Sequence, residues 1–186
     1  MKIKLNEIYA QLEAWRAERK ITAESQKEGY IINIMEEFGE LAAALRDYER
    51  FSKPSYPYPK NKKYAEHGII DALCDIAVFT INAGADIAPN EIETRNNWSL
   101  SFLLACINYF ETSNFVAYAD DVLICCASLC EKYGFNFEIA MLETIKEISS
   151  RTGSYDEKAK KWVKDESDEA KAKWYKANYE LARIKQ

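Results

Sequence analysis

Apolar residues recur three and four positions apart through most of the 186-residue chain, the spacing of helices that bury one face. That spacing predicts helices near 3–20, 23–50, 61–86, 97–112, 114–133 and 136–150. All four prolines, Pro54, Pro57, Pro59 and Pro89, fall in two connectors, where a missing N–H breaks no helix ladder. SKPSYPYPKNK at 52–62 therefore parts the second helix from the third, and two long helices joined this way pack antiparallel. YGFN at 133–136 ends another helix, with Gly134 as its C-cap and Asn136 as the N-cap of the next. The fold class is all-α, an antiparallel helical bundle. Residues 154–186 form a charged C-terminal extension in which Ala170, Trp174, Ala177, Leu181 and Ile184 make one narrow apolar stripe at helical spacing.

Two helices carry acids where the pattern needs explaining. In the second, Ile31, Ile34, Met35, Phe38, Leu41, Ala42 and Leu45 gather on one side and Glu36, Glu37 and Glu40 on the other. Such a glutamate face is ordinarily just solvated. The third helix is apolar nearly all round: Ile69, Leu73, Ile76, Phe79 and Ala83 form one side, and Ile70, Ala77, Val78 and Ile81 fill most of the rest. Its exceptions are Asp71, Asp75 and Asn82, which at about 100° per residue fall within about 40° of one another. A buried carboxylate needs a partner or a raised pKa, yet the neighbouring helix offers three more carboxylates. Facing carboxylates become favourable when a hard divalent cation, Mg²⁺ or Mn²⁺, sits between them and keeps open positions for water and phosphate.

Composition narrows the field. With 25 Lys+Arg against 30 Asp+Glu the net charge is −5, and no basic stripe offers a footprint for a nucleic-acid polymer. The five cysteines, Cys74, Cys106, Cys125, Cys126 and Cys130, fall inside helical segments and read as reduced core residues of a cytoplasmic protein. Zinc is disfavoured, because no second cysteine pair follows and His67 is the single histidine. WSLSFLLACINYF at 98–110 is too short to span a bilayer, and the first twenty residues lack the apolar core of a signal peptide.

EEFGE at 36–40, followed beyond the proline-rich connector by DALCD at 71–75, resembles the signature of the MazG-like superfamily of all-α nucleoside triphosphate pyrophosphohydrolases, which includes dimeric dUTPase-like enzymes. That family reads Glu-x-x-Asp on the second helix; here Asp75 matches the aspartate, while Ala72 occupies the glutamate position and Asp71 is the acid one residue earlier. The run ETIKEISSRTGSYDEKAKKWVKD at 143–165 is similar to the family's cation-bearing helix end.

The resemblance implies a four-helix core within a domain at 1–153, with 87–133 as inserted helices and 154–186 appended. It implies Mg²⁺-dependent hydrolysis of a (deoxy)nucleoside triphosphate to the monophosphate and pyrophosphate, a nucleotide-pool house-cleaning role. Glu36, Glu37, Glu40, Asp71 and Asp75 would hold metal, with Glu37 also taking a proton from the attacking water. Lys146 and Arg151 would meet phosphates, and Asn82 and Asn33 the sugar or base. Apolar surface on more than one side of the long helices makes a homodimer the default, and the extension lies over the cleft or over a partner subunit.

Two other readings compete. A di-iron bundle needs two Glu-x-x-His pairs, and His67, preceded three residues earlier by Tyr64, supplies none; it reads as a surface residue at a helix start. A non-catalytic nucleotide-binding or protein-interaction module is motivated by the shifted Asp71, and the retained like charges argue against it.

Overall fold

The computed structural model describes residues 1–55, 58–84, 90–96, 99–112, 118–158 and 161–185. The expected helix residues 85–86, 97–98 and 114–117 lie outside them. Among the described residues the architecture is a helical bundle built from α1 (Asn6–Arg19), α2 (Ala23–Phe51), α3 (Pro59–Ala83), α4 (Leu100–Thr112), α5 (Ala119–Lys132) and α6 (Phe137–Ser150), with a four-residue α7 (Asp168–Lys171) and a 3₁₀ turn at Tyr179–Ala182. None of these helices is long and apolar enough to cross a membrane.

Local chemistry sets the helix ends. The Thr22 side chain accepts from the Ser25 N–H at 3.2 Å and starts α2, and Pro59 opens α3, where its missing donor costs nothing. Gly134, at φ +84°, closes α5 in the left-handed region. Asn136 then caps α6 by accepting from the Ile139 N–H at 3.0 Å. Both caps agree with the sequence reading.

The two long helices run antiparallel. Tyr30 near the start of α2 shares a 3.1 Å hydrogen bond with Thr80 near the end of α3, while further along α2 Ala44 faces Gly68. Helix α3 is the centre of the molecule, packed by α2, α5, α6 and α1. Ile69, Ile70, Leu73, Cys74, Ile76 and Ala77 are fully buried, each large aliphatic among them contributing about 1.5–3 kcal/mol by leaving water. This all-round burial is why α3 reads as almost uniformly apolar. All five cysteines are free and buried, as expected of core residues.

Three expectations need correction. The first helix begins at Asn6, because Lys2–Lys4 forms strand β1, which pairs antiparallel with β2 (Glu91–Glu93) and buries Ile3 against Ile92. The C-terminal stripe is not one helix. Gly153–Asp156 and Lys161–Lys164 form a hairpin, β3 and β4, and the later backbone turns back to α6, where the Ala177 and Asn178 N–H groups donate to the Glu147 and Glu143 carboxylates at 2.8 and 2.9 Å. Those side chains satisfy donors that a helix would have satisfied itself, and Leu181 stays 59% exposed. His67 is half-buried, its Nε2 2.7 Å from Glu180 Oε1.

Candidate functional site

One cleft, with a volume near 580 Å³, gathers most of the residues singled out in the sequence: Asn33, Glu36 and Glu37 from α2, Asp75 and Asn82 from α3, and Arg151 just after α6. The helical repeat explains the grouping. Asn33, Glu36 and Glu37 are one turn apart on the flank of α2 beside its buried Ile34, and Asp75 and Asn82 lie two turns apart on the facing side of α3. Glu40, Asp71 and Lys146 do not line the cleft. Glu40 is exposed on α2, one turn past the cleft residues. Lys146 is 4.0 Å from Glu143 Oε1 and lies 3.8 Å above the Tyr175 ring.

The acids fall into two electrostatic kinds. Glu143 accepts from the Tyr175 hydroxyl at 2.5 Å and from the Asn178 N–H. Burial alone would raise Glu147, but the Ala177 N–H, the Arg151 guanidinium at 3.2 Å and the Lys176 ammonium hold it below the usual carboxylate range. The other kind is uncompensated. Burial pushes Glu37 up to about 7, helped by the charges of Glu40, Asp71 and Glu36 and opposed by Arg151. Burial raises Asp75 well above its ordinary value, with Asp71 and Glu37 adding to it. Asp71 is raised by burial and steadied by the Tyr179 hydroxyl, which donates to its Oδ1 at 2.5 Å and shares a 2.9 Å hydrogen bond with Thr144.

Glu37 Oε2 is buried with no hydrogen-bond partner, and so is Arg151 Nε. A buried polar atom left unpaired costs about 1–3 kcal/mol, so the cleft floor is a place where a ligand would lower the energy. Among the described residues no three His, Cys, Asp or Glu side chains stand ready-made to hold a metal ion. The donor chemistry nevertheless fits a hard cation: the orphaned oxygen and its raised neighbour Asp75 are carboxylates, and no histidine or cysteine lines the cleft.

The cleft is also lined by cations from α1 and the β3–β4 hairpin, which sequence reasoning missed. Arg16 donates to Asn82 Oδ1 at 2.8 Å, fixing the buried amide that faces the cleft. Arg19, Lys20, Lys161, Trp162 and Lys164 complete the lining from the end of α1 and from the β3–β4 hairpin. The crowded cations of WRAERK at 15–20 are the signal that was present, because the last turn of a helix favours cations and so disguises them.

The uncompensated acids make stability depend on pH with a definite sign. A carboxyl whose folded pKa lies above its unfolded 4.5 binds more protons folded than unfolded, so its stabilising effect is complete below pH 4.5 and is lost as pH rises toward about 7. Asp71 and Asp75 act in the same direction, while the depressed Glu147 acts the other way at lower pH. In chelator, scanning calorimetry should show the melting temperature falling between pH 5 and 7.5. Discounted for solvent screening of a half-exposed carboxyl, the Glu37 part alone corresponds to about 1–2 kcal/mol, roughly 2–8 °C for a chain of this size. A melting temperature that rises across this window would refute the assignment of these carboxyls as uncompensated.

No family model matches the chain, and neither the curated proteins nor the solved structures contain a match to it.

Proposed function

We propose that this protein is a Mg²⁺-dependent nucleoside triphosphate pyrophosphohydrolase of the MazG-like kind, cleaving a (deoxy)nucleoside triphosphate into the monophosphate and pyrophosphate. The observation that carries the reading is one cleft lined by the acids Glu36, Glu37 and Asp75, of which Glu37 and Asp75 are buried and raised, and by the cations Arg19, Lys20 and Arg151. A metal-bound polyphosphate ester suits this mixed lining: its cation would meet the acids and its excess anionic charge the cations.

Glu36, Glu37 and Asp75 would hold Mg²⁺ or Mn²⁺, with Glu40 and Asp71 shaping the charge around them. The ion supplies neutralisation of phosphate oxygens and a bound water of lowered pKa. Glu37 would take the proton of the attacking water with whichever of its carboxylate oxygens does not engage the ion. Attack of a water on the α-phosphorus would break its bond to the bridging oxygen and release pyrophosphate, the water's proton passing to Glu37. Arg151, beside the acids, stabilises charge gathering on the phosphates. Asn82, held by Arg16, and Asn33 face the sugar or base.

A non-catalytic binding module is the second reading. It draws on Asp71, which stands outside the cleft lining with one oxygen taken by Tyr179. A pyrophosphate-release assay with a panel of ribo- and deoxynucleoside triphosphates separates the two. The hydrolase gives equimolar monophosphate and pyrophosphate, and chelation stops it. Binding without turnover of any nucleotide favours the module.

A further inference from the structure

Helix α2 is 29 residues long, about 43 Å at 1.5 Å per residue, yet among the described residues α3 is the one element packed extensively against it. One long face of α2 is therefore open, and its side chains are not those of a solvated face. Ile31, Ile32 and Met35 are 39%, 66% and 66% exposed, and the same face continues through the exposed Gly39 and Ala42 to Ala43. At about 100° per residue these six fall within about 120° of one another, turned away from the cleft residues Asn33 and Glu37.

Gly39 points outward from the chain. A mid-helix glycine costs about 1 kcal/mol against alanine, and a β-carbon at this position would meet nothing within 4 Å. The packing of the chain itself gives glycine no purpose here, whereas a second backbone approaching from outside would use the room.

The face is also self-complementary. An antiparallel copy related by a two-fold axis at the level of Glu37 sets Met35 against the partner's Gly39, Ile32 against the partner's Ala42 and Ile31 against the partner's Ala43, a large side chain opposite a small one each time. The same register sets Glu28 against the partner's Arg46 and Glu24 against the partner's Arg50, acid opposite base at both ends, and all four charges lie exposed on this face. A parallel pair would set each charge beside its like. Acids near the start and bases near the end also suit the macrodipole of a lone helix, but the exposed isoleucines and methionine between them do not.

We propose that this face of α2 docks a second copy of the chain, packed antiparallel about a two-fold axis, with Met35 seated over the partner's Gly39 and Glu28 paired with the partner's Arg46. Every contact of such an interface occurs twice. The pairing leaves Asn33 and Glu37 turned away from the partner and does not depend on what the cleft binds.

The test is sedimentation equilibrium of the full chain over a range of concentrations. Wild type should be a dimer at micromolar concentrations. Glu28→Arg and Arg46→Glu each bring like charges together twice in the dimer and should weaken association by about tenfold or more. Glu28→Arg/Arg46→Glu reverses both sides of the pair and should restore association to within about threefold of wild type, a rescue that damage to the fold does not produce. Gly39→Leu fills the room at the axis and should weaken association by about a hundredfold or more, with helix content by circular dichroism unchanged. A wild type that stays monomeric leaves the face to a different partner and overturns the proposal. So does a dimer that Gly39→Leu leaves intact, or a doubly reversed variant whose two losses simply add.

Discussion

Asp75→Asn is expected to lower pyrophosphate release by roughly a thousandfold or more while raising the melting temperature of the metal-free protein. The two effects share one cause. Burial, then the charges of Asp71 and Glu37, holds the Asp75 carboxyl well above its ordinary range, so carrying a charge at this position costs the folded state stability. The amide has the same shape without the charge, which relieves that cost and would remove an oxygen donor from the proposed metal site. Metal-ion catalysis supplies several kcal/mol of transition-state stabilisation, and each 1.36 kcal/mol is tenfold in rate. Asp71→Asn should cost less activity, because Asp71 lies outside the cleft lining and is already engaged by Tyr179. Steady-state kinetics beside calorimetry read both variants. Equal losses at the two positions, or an Asp75→Asn protein less stable than wild type, would contradict the electrostatic account.

Arg19→Ala should cost about 2–4 kcal/mol of stability. Arg19 carries its charge into a site only 2% exposed, near the Trp15 and Trp162 rings at 5.2 and 5.0 Å, and ties the end of α1 to the carbonyls of Ser149 and Arg151. Truncation leaves two acceptors short of donors and a void between two indoles, and unsatisfied buried groups cost about 1–3 kcal/mol apiece. The melting temperature should fall by roughly 5–15 °C. The hairpin should loosen with it, seen as faster amide exchange in β3 and β4. Arg19→Lys should recover little, since an ammonium lacks the flat guanidinium that fits between two rings and serves two carbonyls. A variant that melts within 2 °C of wild type would show that this pin carries no weight.

The bundle was legible where chemistry is local. Thr22, Pro59, Gly134 and Asn136 mark helix ends through their own backbone preferences, and the buried faces of α3 and α5 span enough turns for their apolar excess to be unmistakable. The acids of the cleft were legible in part: Asp75 interrupts a helix that is otherwise apolar, while Asp71, which does so too, turns to the Tyr179 hydroxyl instead of lining the cleft. What escaped depended on partners far away in sequence. Strand β1 has one inward residue, Ile3, and its partner Ile92 lies about ninety positions on; three residues of alternation fit equally well at the start of a helix. KWVK at 161–164 is too short and too charged to read as a strand until Arg19 supplies a seat for Trp162. The C-terminal apolar stripe misled because Glu143 and Glu147 satisfy backbone donors that a helix would have satisfied. Arg16 became a site residue only when α1 was seen to end beside Asn82.

Uptake of Mn²⁺, followed by the loss of its free paramagnetic signal in the presence of a deoxynucleoside triphosphate at pH 7.5, tests the claim on which everything else depends. Wild-type protein should sequester the ion at micromolar concentrations, and Glu37→Gln and Asp75→Asn should each weaken uptake by an order of magnitude or more. Indistinguishable uptake by all three proteins, or none at millimolar ion, would mean that these carboxylates are not a metal-binding wall.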